Sequence, residues 1–257
     1  MRSTRLLVPG LVAVLCTALA SPALADVTVK TKGSGKGMVG GAVGDMTQYL
    51  KGGKMRMDQA TGAGRSTTTI IDAVGRRMMV IDHEKKQAQI LDMATMGEAL
   101  SKVSAGDLSV AINPTTQTRT VAGMSCTVYD VKVAVPMQGA GITMVMSGPQ
   151  CLSKNAPGMA DFVAFYKAAS KGGMFFDPAQ AKAQPALAKA MADMQRQMSE
   201  LGIPLAAETT VAMDGSGPMA EMMKKMSSTI TTEVVSITTD AIPDSTFEVP
   251  AGYSVKK

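Results

Sequence analysis

The sequence has 257 residues, with 26 Lys and Arg against 21 Asp and Glu, no Trp and 23 Met. The basic residues are scattered singly or in pairs without interleaved aromatic residues, and the net charge of +5 is mild. This pattern argues against a nucleic-acid-binding surface, which needs clustered Lys and Arg. The chain is long enough to bury a substantial core, in which Met replaces aromatic residues.

The first 25 residues have the composition of a secretory signal peptide. Basic residues precede an apolar segment, residues 6–20, and a small-x-small pattern ends at Ala25, just before Asp26. We therefore expect cleavage between Ala25 and Asp26, a single mature domain of residues 26–257, and a periplasmic or secreted location. The apolar segment is shorter than the roughly 20 residues of a membrane-spanning helix, and we expect no transmembrane span.

Two cysteines remain after the signal peptide is removed, Cys126 and Cys151. An even pair in an oxidising compartment is most simply a disulfide. Two unpaired thiols are the alternative, and the spacing excludes a CxxC redox motif. A disulfide that closes a loop of about 25 residues stabilises a chain by about 3 kcal/mol in the chain-entropy model.

Short segments with strand-like alternation, separated by turn signals, recur along most of the chain and predict an antiparallel meander. These segments are residues 27–31, 46–50, 55–58, 66–71, 77–81, 87–91, 116–121, 126–135, 142–146 and 229–238.

Apolar residues at helical spacing predict helices between the strands. One helix begins at Pro157, which suits the first turn, and its apolar stripe consists of Phe162, Phe165, Tyr166 and Ala169. The clearest helix covers residues 178–201, with Pro185 as its start or as a kink. Its apolar face consists of Leu187, Met191, Met194, Met198 and Leu201. Two shorter helices are predicted over residues 94–104 and 219–226.

The order of strands, then helices, then strands indicates an α+β fold, with helices packed on one side of a curved antiparallel sheet.

A GxGxxG pattern at Gly35, Gly37 and Gly40 is followed by more glycine rather than by a helix, and a loop or a bulged strand explains it better than a nucleotide site. The single histidine, His83, lies in a predicted hairpin turn and is expected to be exposed. Without a catalytic motif or an evident acid–base pair, we expect no enzymatic activity and no cofactor.

The methionines are the unusual chemical feature of the sequence. Met191, Met194 and Met198 share a helix face, and Met144 and Met146 point to one side of a strand. Such methionines form an ordinary core, line an adaptable apolar cavity, or bind Cu(I) through soft thioether sulfur. The three interpretations remain open, and Met191, Met194 and Met198 are the candidate Cu(I) ligands.

Five segments, in order, resemble a family of bacterial envelope proteins that contain a domain of unknown function. The segments are residues 49–58, 70–82, 120–131, 201–205 and 247–253. That family resembles the LolA-type lipoprotein carriers in fold, and the resemblance covers nearly the whole mature chain. It implies a half-open antiparallel barrel whose concave face is covered by helices that enclose an apolar cavity. It implies no catalytic residues.

The favoured functional hypothesis is a non-enzymatic periplasmic binding protein or carrier for an apolar ligand, such as a lipid, an acyl chain or a lipoprotein. The alternatives are a Met-rich periplasmic Cu(I)-binding protein and an envelope structural or interaction protein without a small ligand. The expected partners are an apolar small molecule or lipid, with transient contact with the envelope membrane or lipoproteins, and no nucleic acid. The candidate lining residues are Phe162, Phe165, Leu187, Met191, Met194 and Met198.

Overall fold

A computed structural model describes residues 26–36, 43–60, 66–93, 109–137, 141–171, 185–216, 222 and 227–256. These residues form one mostly antiparallel sheet of twelve strands, accompanied by two α-helices. Neither described helix is long and apolar enough to cross a membrane.

The strands are β1 (Val27–Lys36), β2 (Met46–Lys51), β3 (Lys54–Ala60), β4 (Ser66–Asp72), β5 (Arg77–Asp82), β6 (Gln87–Asp92), β7 (Ser109–Val121), β8 (Met124–Met137), β9 (Ile142–Ser153), β10 (Ile203–Gly215), β11 (Ser228–Thr238) and β12 (Ser254–Lys256). The helices are α1 (Met159–Lys171) and α2 (Pro185–Leu201), and Asp244–Phe247 forms a 3-10 helix. Each strand segment predicted from alternation lies within one of these strands, whereas β10 and β12 lie outside the predicted segments.

The strand order is β12-β6-β5-β4-β3-β2-β1-β11-β10-β9-β8-β7. All neighbours pair antiparallel except β12 and β6, which are parallel. The ladder between β1 and β11, in which Thr28 lies opposite Thr238, joins the two halves of the sheet. In the described part of the chain, β12 and β7 are the two edges, so the sheet is not closed.

The half of the sheet from β11 to β7 is strongly curved. Strands β7 and β11 contact each other although β8, β9 and β10 lie between them in the sheet order. Across this contact, Arg119 of β7 lies 3.9 Å from Glu233 of β11. A flat sheet would keep these strands about four strand spacings apart, each about 4.8 Å. The curvature therefore brings the two strands together.

Helix α1 packs on the sheet through the predicted apolar stripe. Phe162, Phe165, Tyr166 and Ala169 are buried in the main core. The Phe162 and Tyr166 rings lie 4.3 Å apart, and the Phe165 ring meets Tyr166 edge-on. Burial raises the pKa of the Tyr166 hydroxyl. Because this core also contains Val27 and other side chains from β1 to β5, α1 connects the sheet to its helical layer.

The described part of helix α2 starts at Pro185, the residue predicted as a start or a kink. It packs against α1, β7 and β9 and ends at Leu201, as predicted. Gly202 follows with a φ of 150° and lies so close to the Ser153 backbone that a Cβ would stand 2.7 Å from it. This close approach fixes the position where the helix passes into β10.

Strand β8 is buried on both faces. The even-numbered Cys126 and Val128 belong to the main core, whereas the odd-numbered Val131, Val133 and Val135 belong to a second cluster beneath α2. Because successive strand residues point to opposite faces, this run of buried residues requires cover on each side. The strand is therefore shared between two cores.

The segment after β11 covers the other face of β4 to β6. Ile242 and Phe247 form a third cluster with Ile70, Ile81 and Ala88. Lys51 anchors this segment through an ion pair of 3.0 Å with Asp244. Short β12 then adds to β6 at the sheet edge.

Strands β7 and β9 are longer than predicted because residues that usually end strands are accommodated inside them. In β7 the register shifts between Pro114 and Thr118, and the Thr115 hydroxyl donates to the Val128 carbonyl at 2.8 Å, which holds the bulge. Strand β9 continues through Gly148 and reaches beyond Cys151. Cys151 therefore lies within β9, although the predicted strand segment ends at residue 146.

Several predicted features lie outside the described residues. These are the signal peptide with Ala25, Gly37 and Gly40 of the glycine pattern, the helix over residues 94–104, residues 178–184 of the long helix, and most of the helix over residues 219–226. Gly35 lies within β1, which has a bulge between Lys30 and Thr31.

Candidate ligand-binding site

A crevice of about 190 Å³ lies between α2 and the sheet. Its lining consists of Val131, Val133, Met146, Ser147, Gly148, Gln150, Met191, Met194 and Thr209. Strands β8, β9 and β10 form its floor, and α2 lies above it.

The sheet register places the floor residues side by side. Val131 lies opposite Gly148, and Val133 lies opposite Met146. Thr209 belongs to β10, the next strand on the other side of β9. On α2, Met191 and Met194 are three residues apart and therefore lie on the same helix face. Two helical thioethers thus face a floor of valine and a third thioether.

Gly148 leaves the middle of this floor without a side chain. It has a φ of 151°, and a Cβ at this position would overlap the carbonyl oxygen of Glu208 on β10. Glycine therefore allows β9 and β10 to approach closely here. The missing side chain also leaves space between Met146 and Gln150, the neighbours of Gly148 on the same face of β9.

The lining is apolar with an uncharged polar part. Val131, Val133, Met146, Met191 and Met194 supply apolar surface, and Gln150 and Thr209 supply an amide and a hydroxyl group. Within the described part of the chain, no lining residue is charged. Such a site suits an apolar ligand with few polar atoms.

The structure separates the predicted lining residues into two groups. Met191 and Met194 line the crevice, and Met198 belongs to the same cluster without lining it. Phe162 and Phe165 lie in the main core and are not among the lining residues. The side chain of Leu187 lies outside the described ones.

The proximity of Met146 to the α2 methionines was not predicted. Among the described residues, five methionines belong to the cluster beneath α2: Met144, Met146, Met191, Met194 and Met198. The sequence places Met144 and Met146 on one side of a strand but does not show which helix lies over that strand. Only the tertiary fold brings the two sets together.

A second, polar cavity of about 360 Å³ lies on the face of the sheet that the C-terminal segment partly covers. Asp58 accepts hydrogen bonds from Arg56 at 2.8 Å and from the Thr68 hydroxyl at 2.5 Å. Nε2 of His83 lies 2.8 Å from the Thr68 hydroxyl, and Nδ1 lies 2.9 Å from the Tyr253 hydroxyl. These bonds form a continuous network from Arg56 to Tyr253.

The expectation that His83 is exposed is wrong. His83 is partly buried, both ring nitrogens have partners, and its ring meets Tyr253 edge-on. Tyr253 is 170 residues away in sequence, so turn chemistry alone could not reveal the contact. The geometry does not arrange a reactive hydroxyl, because Thr68 is 1 % exposed and donates to Asp58 rather than to His83.

The disulfide between Cys126 and Cys151 is confirmed, with Cα atoms 5.3 Å apart. It connects β8 to β9, where Cys151 lies opposite Val128. Both cysteines are buried in the main core. Among the described residues, no group of three or more His, Cys, Asp and Glu side chains is placed to hold a metal ion.

A family model described as a domain of unknown function, DUF4412, matches residues 40–253. The chain belongs to this family. The predicted membership of a family with a domain of unknown function is therefore confirmed. The match includes β2 to β11, and so all three strands that form the floor of the crevice. The comparison with curated proteins gives no match for this DUF4412 protein.

Solved structures similar to this DUF4412 protein include the lipoprotein LppX of Mycobacterium tuberculosis, with 8% sequence identity and a TM-score of 0.36. The match covers 86% of this chain and 89% of LppX. Two structures of PNGF-II also match, each with 8% identity and a TM-score of 0.28. They cover 90% of this chain and 30% and 31% of theirs. Similarity at this level gives no information about ligand or activity.

Proposed function

We propose that this protein is a non-enzymatic, extracytoplasmic binding protein or carrier for an apolar ligand, which it holds in the crevice between α2 and strands β8 to β10. In this proposal, the helices cover the apolar concave face of the curved sheet, and α2 acts as the cover of the site. The observation that carries the proposal is a crevice of about 190 Å³ with five apolar and no charged side chains among the described residues that line it.

The crevice is smaller than the 300–1,000 Å³ or so that is usual for small-molecule sites. A ligand with a long chain must therefore displace part of the cover. Met191 and Met194 suit this role because methionine is unbranched and adapts to different apolar partners. The rotation of these side chains enlarges the site without unfolding the helix.

The extracytoplasmic location is supported by two independent features. The first 25 residues have the composition of a signal peptide, with cleavage expected between Ala25 and Asp26. The Cys126–Cys151 disulfide persists in oxidising compartments and is rare in the cytoplasm. In the envelope, contact with a membrane or with lipoproteins would supply an apolar ligand.

A pair of variants on β8 tests the site. Val131 lines the crevice, whereas Val128 faces the main core, and each is 5% exposed. We expect Val131→Phe to fill the crevice and abolish saturable uptake of a fluorescent alkyl probe, and Val128→Phe to retain it. Both substitutions add the same volume at a buried position. The unfolding midpoints of the two variants therefore show whether a difference in uptake comes from a difference in stability. Equal uptake by the two variants, or no uptake by the unmodified protein, would contradict the proposal.

A Cu(I) site is the second candidate function, and a specific observation favours it. Met146, Met191 and Met194 line the same crevice, so three soft thioethers from two elements face one space. This set replaces the predicted one, because Met146 lines the crevice and Met198 does not. The Met146→Leu, Met191→Leu, Met194→Leu triple variant keeps the apolar volume and removes the sulfur. We expect it to lose Cu(I) binding in a chelator competition and to retain alkyl-probe uptake.

A further inference from the structure

We propose that the ligand is a single alkyl chain with an uncharged, hydrogen-bonding head, and that Gln150 and Thr209 select that head. This inference rests on the proposed function and specifies the chemical class of its ligand. Candidates of this class are an alkanol, a monoacylglycerol or an alkyl amide.

The floor of the crevice carries both apolar and polar side chains. Val131, Val133 and the three methionines are apolar, and the polar side chains on the same face of the floor come from Gln150 on β9 and Thr209 on β10. No hydrogen bond joins the Gln150 amide or the Thr209 hydroxyl to another described residue. Within the described part of the chain, no other group therefore competes with a ligand for these two side chains.

The chemistry of these two groups matches a neutral head. A glutamine amide donates and accepts hydrogen bonds, and so does a threonine hydroxyl. Together they satisfy a hydroxyl, an ester or an amide, each of which needs a donor, an acceptor or both. They offer no opposite charge to a carboxylate, a phosphate or an ammonium group.

Charged residues near the crevice are directed or paired elsewhere. Lys132 and Glu208 are exposed and alternate with lining residues along β8 and β10, so they point to the other face of the sheet. On α2, Asp193 is paired with Lys189 at 3.1 Å. A charged head in the crevice would lose its hydration without gaining an ion-pair partner from these residues.

The size of the crevice restricts the apolar part. Its volume of about 190 Å³ is below the range of sites that enclose a drug-sized ligand. One alkyl chain inserted beneath Met191 and Met194 fits this space, with displacement of the methionines for longer chains. Two acyl chains side by side would need the separation of α2 from the sheet.

Three amphiphiles with the same alkyl chain test the inference in the purified mature protein: an alkanol, the corresponding fatty acid at neutral pH, and the corresponding alkylammonium, all below their critical micelle concentrations. Displacement of a fluorescent alkyl probe measures each affinity. We expect the alkanol to bind about tenfold more tightly than either charged amphiphile, as expected when a charge loses hydration without a partner.

The double variant Gln150→Leu, Thr209→Val should bind the alkanol about tenfold more weakly, because the hydroxyl head loses two hydrogen-bond partners, and should still bind the charged amphiphiles poorly. Thr210→Val is the matched control, because Thr210 neighbours Thr209 on β10 but does not line the crevice. A charged amphiphile that binds as tightly as the alkanol to the unmodified protein overturns the inference and leaves the carrier function standing. An unchanged affinity for the alkanol in a folded double variant also overturns it. The failure of all three amphiphiles to bind overturns the carrier function itself.

Discussion

The carboxylate of Asp26 accepts a hydrogen bond of 2.6 Å from the backbone N–H of Ile242, 216 residues away in sequence. The same oxygen lies 3.4 Å from Nζ of Lys51. Asp26 precedes β1 directly, and Ile242 is buried in the cluster that covers the outer face of β4 to β6. The residue at the expected cleavage site therefore holds the C-terminal segment on the sheet.

Replacement of Asp26 by Ala should destabilise the protein by about 1–3 kcal/mol, because the buried N–H of Ile242 loses its partner. Urea denaturation of the mature protein measures the free energy of unfolding. Asp240→Ala is the control, since Asp240 is exposed and lies in the same segment. Equal stability of the two variants would show that water replaces the Asp26 carboxylate without cost.

The ion pair between Lys51 and Asp244 should make stability depend on pH at both extremes. The hydrogen bond and charge of Lys51 lower the pKa of Asp244 below its ordinary 3.8, so this contribution is present above that value and is lost as the pH falls through the lower folded-state pKa. The hydrogen bond with Asp244 is the largest cause that raises the pKa of Lys51 above 10.5, and this contribution is lost as the pH rises through the raised value.

Asp244→Asn should therefore reduce both limbs of the pH profile. Denaturation midpoints measured across the pH range provide the comparison. The effect should be small and should shrink in high salt, because Asp244 is 85% exposed. A profile identical to that of the unmodified protein would show that the ion pair contributes nothing in solution.

Loss of the disulfide should destabilise the protein by about 3 kcal/mol, the value for a loop of about 25 residues in the chain-entropy model. The Cys126→Ala, Cys151→Ala variant is preferable to serine because both positions are buried. Urea denaturation of this variant and of the reduced unmodified protein should give similar midpoints. If reduction leaves the midpoint unchanged, the two strands are held by their ladder alone.

Neutral His83 should carry its proton on Nε2. Thr68 has one hydroxyl hydrogen, and it points to Asp58 at 2.5 Å, so Thr68 accepts from Nε2 of His83. Nδ1 is then free to accept from the Tyr253 hydroxyl. Since the chain contains one histidine, ¹⁵N NMR of the imidazole reports this tautomer without ambiguity. A proton on Nδ1 in the neutral form would refute the proposed direction of the network.

Tyr253→Phe removes one partner of His83 and should cost about 0.5–1.5 kcal/mol, the usual net value of a hydrogen bond. The Nε2–H tautomer should persist in this variant, because the constraint from Thr68 remains. Urea denaturation and the same NMR spectrum check both statements.

Gly148→Ala should be far more destabilising than Gly123→Ala. Gly123 has a φ of 77° with no atom near its would-be Cβ, so alanine there carries only a backbone penalty of about 1–2 kcal/mol. At Gly148 the Cβ would also overlap the Glu208 carbonyl, and we expect a loss above about 3 kcal/mol together with weaker alkyl-probe uptake. Thermal unfolding of the two variants makes the comparison.

The positions of the strands were predictable, because the alternation of apolar and polar residues identifies a buried face directly. The residues at which the strands end were not predictable. Pro114 and Gly148 usually end strands, yet one lies at a bulge and the other at a close approach of two strands. Both arrangements depend on a neighbouring strand that the local sequence does not specify.

The candidate site was predictable only in part. Helical spacing identified the face of Met191 and Met194, because that pattern is local. It did not reveal that β9 lies beneath this face, which makes Met146 part of the lining, or that Gln150 and Thr209 from different strands lie on the same floor. Aromatic residues on a helix show the same periodicity whether they face the protein core or a ligand. The pattern on α1 therefore could not show that these residues lie in the core and not in the crevice.

The ladder between β1 and β11 has a consequence for when the protein folds. Its partners, such as Thr28 and Thr238, are about as distant in sequence as any pair in the sheet, so the middle of the sheet cannot form until nearly the whole chain is present. Contacts of such long sequence separation also make folding slow. The two halves of the sheet can therefore join only after residue 238 has been synthesised.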